Sequence, residues 1–97
     1  MGDNRRASLV QDTRRELREG VFIEMVLWTL PSPVLGSEHP FKYRYALVID
    51  DRCVLRYDNE RGKGDHRHVG DREEPYLFTT PAQLTADFLA DVRRLAK

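Results

Sequence analysis

The stretch RYDNERGKGDHRHVGDREEPY, Arg56 to Tyr76, decides how the chain is read. It holds two of the three histidines, three of the six glycines and a dense mixture of both charge signs. Read by composition it is a long polar loop. Such a segment is costly to order and buries little apolar area, and a long loop on a compact scaffold usually carries function. The chain before it reads as strands and the chain after it as one helix. Tyr57-Asp58-Asn59 is expected to close a strand, with Asx-type turns at Asp58 and Asn59. Glu74 to Phe78 adds at most a short edge strand, where proline is tolerated.

Working outward, Val21 to Leu30 (VFIEMVLWTL) is the strongest strand. It is rich in β-branched and aromatic residues and apolar on both faces, as in a central strand. Trp28 is expected in the core, and Glu24 is expected to need Lys42 or Arg44 from a neighbouring strand. Pro31 and Pro33 end this strand. Phe41 to Asp50 alternates cleanly: Phe41, Tyr43, Tyr45, Leu47 and Ile49 share a face opposite Lys42 and Arg44. Asp50-Asp51 offers a tight turn into a strand from Cys53 to Asp58, with Cys53 as a small core residue. Residues 7–19 fit either a weak helical stripe (Leu9, Val10, Thr13, Leu17) or a strand. The Glu19-Gly20 turn before a strong strand favours a hairpin. Residues 1–6 are expected to fray.

Thr80-Pro81-Ala82-Gln83 is a helix start: Thr80 caps, Pro81 suits the first turn, and Gln83 can reach back as a capping box. Leu84, Phe88, Val92 and Leu95 line one face, with Leu89 beside them. The fold class is therefore α+β. An antiparallel meander of about four to five strands carries one C-terminal helix on a face, in a single domain spanning 1–97.

Lys plus Arg and Asp plus Glu are balanced at 16 each, which excludes a polybasic nucleic-acid wrapper. A single cysteine excludes an internal disulfide and fits a reducing compartment. No run is long and apolar enough to span a membrane, and MGDNRRASLV lacks the apolar region of a secretory signal. A cytoplasmic location is expected.

Within the central stretch, His66 and His68 suit proton transfer near neutral pH, and Asp65, Glu73 or Glu74 suit orienting an imidazole or acting as base. Arg61, Lys63 and Arg67 are candidate phosphate clamps. Gly62, Gly64 and Gly70 allow close backbone approach to a phosphate. Tyr57, Tyr43 or Tyr76 can stack on an unpaired base. Against this stand plainer readings. Two histidines at i, i+2 are more often a surface pair without a role. Gly62-x-Gly64 matches neither a dinucleotide-binding nor a P-loop fingerprint. A metal site of His66, His68 and Asp58 or Asp65 is a third reading, and no cofactor is expected. His39 has no assigned role beyond being a third histidine near the site.

The runs YDNERGKGDHRH (Tyr57–His68) and REEPY (Arg72–Tyr76), with EMVLW (Glu24–Trp28), HPFKYR (His39–Arg44) and the closing Asp87-Phe88 and Asp91-Val92 pairs, resemble the TumE family. These are toxins of type II toxin–antitoxin modules. The resemblance runs from about residue 8 to the end. It implies a growth-inhibiting protein neutralised by a helix-turn-helix antitoxin. Similarity to other small toxins implies action on RNA or on translation. The alternatives are a binding module that docks an antitoxin or the ribosome, and a metal-dependent enzyme acting on nucleotides or RNA. An exposed edge, the N-terminal strand or Leu77-Phe78, is expected to pair with the antitoxin or a second copy in a homodimer.

Overall fold

The computed structural model describes residues 7–97, so the expectation for residues 1–6 falls outside the described residues. Among these residues six strands form one sheet in chain order: β1 (Ser8–Arg18), β2 (Val21–Thr29), β3 (Phe41–Ile49), β4 (Arg52–Glu60), β5 (Gly64–Val69) and β6 (Arg72–Pro75). Every neighbouring pair is antiparallel. One helix, α1 (Pro81–Leu95), completes the chain order. The α+β meander is as expected, with more strands than the sequence suggested.

The N-terminal hairpin forms. The β3–β4 turn is Asp50-Asp51, both at positive φ (50° and 67°), the twist that two-residue hairpins require. The 21-residue loop does not exist as such. β4 runs through Tyr57-Asp58-Asn59 to Glu60, a three-residue turn leads into β5, and Gly70-Asp71 leads into β6. All three of those β4 residues are buried. The edge strands are β1 and β6, and Leu77-Phe78 is not strand.

The sheet sorts side chains by parity. Val21, Ile23, Met25 and Leu27 of β2, Tyr43, Tyr45 and Leu47 of β3, and Leu55 and Tyr57 of β4 form one buried layer with Leu84, Phe88 and Val92 of α1. Phe88 meets Tyr45 and Tyr57 edge-on, with ring centroids 5.4 and 5.9 Å away. Burying such a side chain stabilises by about 1.5–3 kcal/mol. Thr80 Oγ1 accepts from the Gln83 amide at 3.1 Å, closing the helix start. The Gln83 side chain turns forward to Asp87 Oδ1 (2.7 Å) rather than back to the cap.

Among the described residues, no helix lies on the opposite face. Trp28 belongs there, half-buried and paired across strands with Lys42, not in the core. A wet face tolerates an indole that is only partly covered. Cys53 is exposed rather than a core residue: the register shift between β3 and β4 pairs it with Val48 of the open face instead of with Ile49.

Candidate functional site

Strand alternation separates the residues of the central stretch. Asn59 pairs with Asp65 and Tyr57 with Arg67, so Asp65 and Arg67 lie on the helix side. Asp58 pairs with His66 and Arg56 with His68, so both histidines lie on the open side. Asp65 therefore cannot orient either neighbouring imidazole, because side chains of adjacent strand residues point to opposite faces.

The register aligns two rows across the open face. One is Asp12, Val26, Arg44, Asp58, His66 and Pro75; the other is Arg14, Glu24, Ala46, Arg56, His68 and Glu73. Asp58 is buried, with Arg56 Nε 2.9 Å from its Oδ2. That contact is an ion pair rather than a hydrogen bond, since the Nε proton is not aimed at the oxygen. Arg56 Nη2 lies 3.2 Å from His68 Nε2. The same imidazole nitrogen is 3.4 Å from Glu73 Oε2 and 3.7 Å from Asp58 Oδ1. Lys63 Nζ sits 3.3 Å from Glu73 Oε2. Its hydrogen bond, aided by positive charge nearby, holds the Glu73 carboxyl below the usual carboxylate range.

His66 is set differently. Its Nδ1 is 3.2 Å from the Gly64 carbonyl, an acceptor, which places the proton on Nδ1. In the neutral ring Nε2 then carries the lone pair, and no bond to it is formed among the described residues. The two imidazole centroids are 6.5 Å apart. Glu24, on the far side of the face, has Arg14 and Arg44 each 3.8 Å from its carboxylate, so the expected Arg44 contact is present at long range.

Beneath β4–β6 the helix side holds polar nodes instead of free groups. Asp65 accepts from Ser37 Oγ (2.8 Å), His39 Nε2 (2.7 Å) and the Tyr43 hydroxyl (2.7 Å). The Phe41 amide donates to His39 Nδ1 at 3.2 Å, which assigns the His39 proton to Nε2. Both nitrogens of His39 are thus engaged, and its ring stacks on Phe78 at 3.8 Å. Burial, reinforced by Asp65, pushes the Tyr43 phenol well above its usual range. Asn59, fully buried, accepts from the Tyr43 amide (3.0 Å) and donates to the Phe41 carbonyl (2.7 Å). A second node centres on Asp91, which accepts from the Tyr57 hydroxyl (2.5 Å), Arg67 Nε (2.8 Å) and Arg94 (2.8 Å). Burial opposes ionisation of Asp91, but these donors outweigh it and hold the carboxyl at about 2. Burial and Asp91 push the Tyr57 phenol up, although Arg67 opposes the shift. Burial and Asp87, which accepts from its hydroxyl at 2.6 Å, push the Tyr76 phenol up.

The expected site residues therefore divide. His66, His68 and Asp58 share the open face, but no cluster of metal-binding geometry occurs among the described residues. Glu74 faces the helix side and binds Arg67 Nη1 at 3.0 Å. Arg67, so held, is not a free phosphate clamp, and Tyr57, 2% exposed, has no face open to a base. Arg61 is exposed and lines a hollow of about 480 Å³ with Lys42, Pro33, Val34 and Leu35. Gly64 needs to be glycine for packing: a Cβ there would come within 2.9 Å of the Gly36 carbonyl. Gly62 supplies positive φ in the turn, with open space around it. Sequence reasoning misses Arg56 on the open face, and Asp87 and Asp91 on the helix, as chemistry-bearing residues. Extending strand alternation through His68 would have grouped Arg56 with the histidines.

Fold and site together define a small α+β protein with a histidine- and arginine-bearing open sheet face, backed by a helix-pinned polar layer. The family model described as toxin TumE matches residues 4–96, and the chain belongs to that family. The match supports a toxin role. No curated protein and no solved structure matches the chain. Among the described residues, no helix is long and apolar enough to cross a membrane.

Proposed function

We propose that the chain is the toxin of a type II toxin–antitoxin pair, neutralised by a helix-turn-helix antitoxin, and that it cuts single-stranded RNA in the cytoplasm with the open face of β3–β5. The observation that carries this reading is His66, whose Nδ1–H is fixed to the Gly64 carbonyl while Nε2 is left open. Metal-free cleavage needs a base, an acid and cationic donors. His66 Nε2 takes the proton of a 2′-hydroxyl. The oxygen attacks phosphorus, and the bond to the 5′-oxygen breaks, leaving a cyclic 2′,3′-phosphate. His68 protonates the leaving oxygen. As placed, its Nε2 accepts from Arg56 Nη2 at 3.2 Å; the acid role puts the proton on that nitrogen, with the Glu73 and Asp58 carboxylates, 3.4 and 3.7 Å away, taking over from Arg56 as its partners. Arg44, exposed and held only at long range, and Arg56 in the next row are the candidates for stabilising charge on the phosphoryl oxygens. Lys42 and Arg61 extend the cationic surface from there.

Catalysis predicts turnover: substoichiometric protein consumes excess single-stranded RNA. His66→Ala and His68→Ala each lower the rate by about 10²–10⁴ while leaving the circular dichroism unchanged. Stoichiometric RNA binding without cleavage, or full activity in both variants, refutes the acid–base assignment.

A further inference from the structure

One 15-residue helix cannot cover a six-stranded face. A helix is about 10 Å across and strands lie about 4.8 Å apart, so strands at both sides of α1 extend past it. Towards β6 the polar nodes fill the gap. Towards β1 there is a groove of about 320 Å³ between the end of α1 and the edge strand. Ile23 and Val92 form its floor, and Leu17 and Leu89 its apolar walls. Leu17 is 41% exposed. Arg15, Arg18 and Arg93 rim it.

Most other arginines among the described residues sit against a carboxylate. Arg14, Arg44, Arg56, Arg67, Arg72 and Arg94 each lie within 4 Å of a carboxylate. Among the described residues, Arg15 and Arg93, like Arg52 and Arg61 elsewhere, have no ion pair with an Asp or Glu side chain. Arg18 donates to the main-chain oxygens of Ala96 (2.6 Å) and Lys97 (3.1 Å), tying β1 to the end of the helix and closing one end of the groove. The result is an apolar trough rimmed by guanidinium charge, in a chain whose formal net charge is zero.

We propose that this groove docks an amphipathic segment of another polypeptide, with an apolar stripe seated between Leu17 and Leu89 and carboxylates reaching Arg15 and Arg93. Charge complementarity selects an acidic partner. The floor selects protein over nucleic acid: phosphates would satisfy the arginines but leave the apolar surface wet, and no aromatic ring lines the groove for a base to stack on. Docking here uses the helix side at the β1 edge, whereas the proposed RNA surface is the open side of β3–β5. The two surfaces are separate, and the groove can be filled whether or not the open face cuts RNA.

The test is amide chemical-shift mapping of the full chain titrated with a designed peptide, leucines at helical spacing flanked by glutamates, and with its lysine counterpart. The glutamate peptide should shift Leu17, Ile23, Leu89, Val92 and Ala96 and leave His66 and His68 unmoved. Arg15→Glu with Arg93→Glu should weaken its binding about tenfold or more. Leu17→Asp, at an exposed position where the fold is not at stake, should weaken it as well. His66→Ala should leave it unchanged. Four outcomes overturn the proposal: no binding of the glutamate peptide, equal binding of the lysine peptide, displacement by single-stranded RNA, or a groove occupied by a second copy, seen as a dimer that the Arg15 and Arg93 reversals dissociate.

Discussion

Asp91 is the carboxylate on which the helix and the sheet are joined, and replacing it tests that junction. It accepts from the Tyr57 hydroxyl and Arg67 Nε, both inside the polar layer, and from the exposed Arg94. Its side chain is 14% exposed. In Asp91→Ala the Tyr57 proton loses its acceptor. Arg67 keeps only Glu74 as an anionic partner, at 3.0 Å. Hydrogen bonds to a charged group are worth about 1.5–3 kcal/mol each, and the Arg94 contact, being exposed, adds less than about 1 kcal/mol. Because Glu74 still neutralises Arg67, the expected loss is about 3 kcal/mol, not the full cost of a stranded buried charge. Asp91→Asn keeps an acceptor oxygen and should lose less.

The pH dependence isolates the charge. The carboxyl sits at about 2 in the folded chain against an ordinary 3.8. A depressed carboxyl contributes stability that is present above its ordinary value and is lost as pH falls through the folded value. Wild type should therefore lose about 1–2 kcal/mol through this group between pH about 4 and about 2, after allowance for solvent screening. Asp91→Asn should lose nothing there, so the gap between the two proteins narrows as pH falls. Urea denaturation with constant m, at neutral pH and at pH about 2.5, reads both quantities. An Asp91→Ala variant within about 0.5 kcal/mol of wild type, or a wild-type-to-Asn gap of equal size at both pH values, refutes the reasoning.

Two further substitutions probe elements that position the site. Gly64→Ala should cost more than Gly62→Ala in chemical denaturation: both sit at positive φ (78° and 84°), worth about 1–2 kcal/mol, but only at Gly64 does the new Cβ meet backbone. Equal losses would contradict the Gly36–Gly64 close approach. Thr80→Ala should cost about 1 kcal/mol of stability by removing the acceptor for the Gln83 amide, with Thr80→Ser restoring most of it in the same assay.

Where side chains sort into apolar and wet faces, the sequence is legible. The odd-numbered residues of β2 and β3 and the 84-88-92 spacing of α1 show the period of their element directly. The central stretch defeats that signal because β5 is polar on both sides. Its even side, His66 and His68, is open to solvent. Its odd side, Asp65 and Arg67, is covered, but by hydroxyls, carboxylates and guanidinium rather than hydrocarbon. Hydropathy cannot separate a charge that faces water from one buried against a counter-charge, so a strand reads as a loop. His39 is obscure for a related reason: its partner Asp65 is 26 residues away and meets it only once the connection after β2 folds onto β5. The family resemblance, by contrast, rests on residue runs rather than periodicity, and the family match covers residues 4–96.

The alternation that splits the stretch also explains why so polar a strand can hold an ordered pair of imidazoles. His66 and His68 project from β5 on either side of Arg67, and Arg67 is clamped on the helix side to Asp91, Glu74 and Tyr57. Asp65, next to His66, is fixed by Ser37, His39 and Tyr43. Every second residue of this segment is thus anchored below the sheet, and the residues between are presented above it with their backbone held. A loop of the same composition would have to spend binding energy to order its groups around a substrate. Here the ordering is supplied by the fold, because the buried charges are paired within it. The polar layer beneath the sheet is on this account the support of the open face. Positioning and presentation alternate along a single strand, and β5 is short enough, at six residues, to serve both.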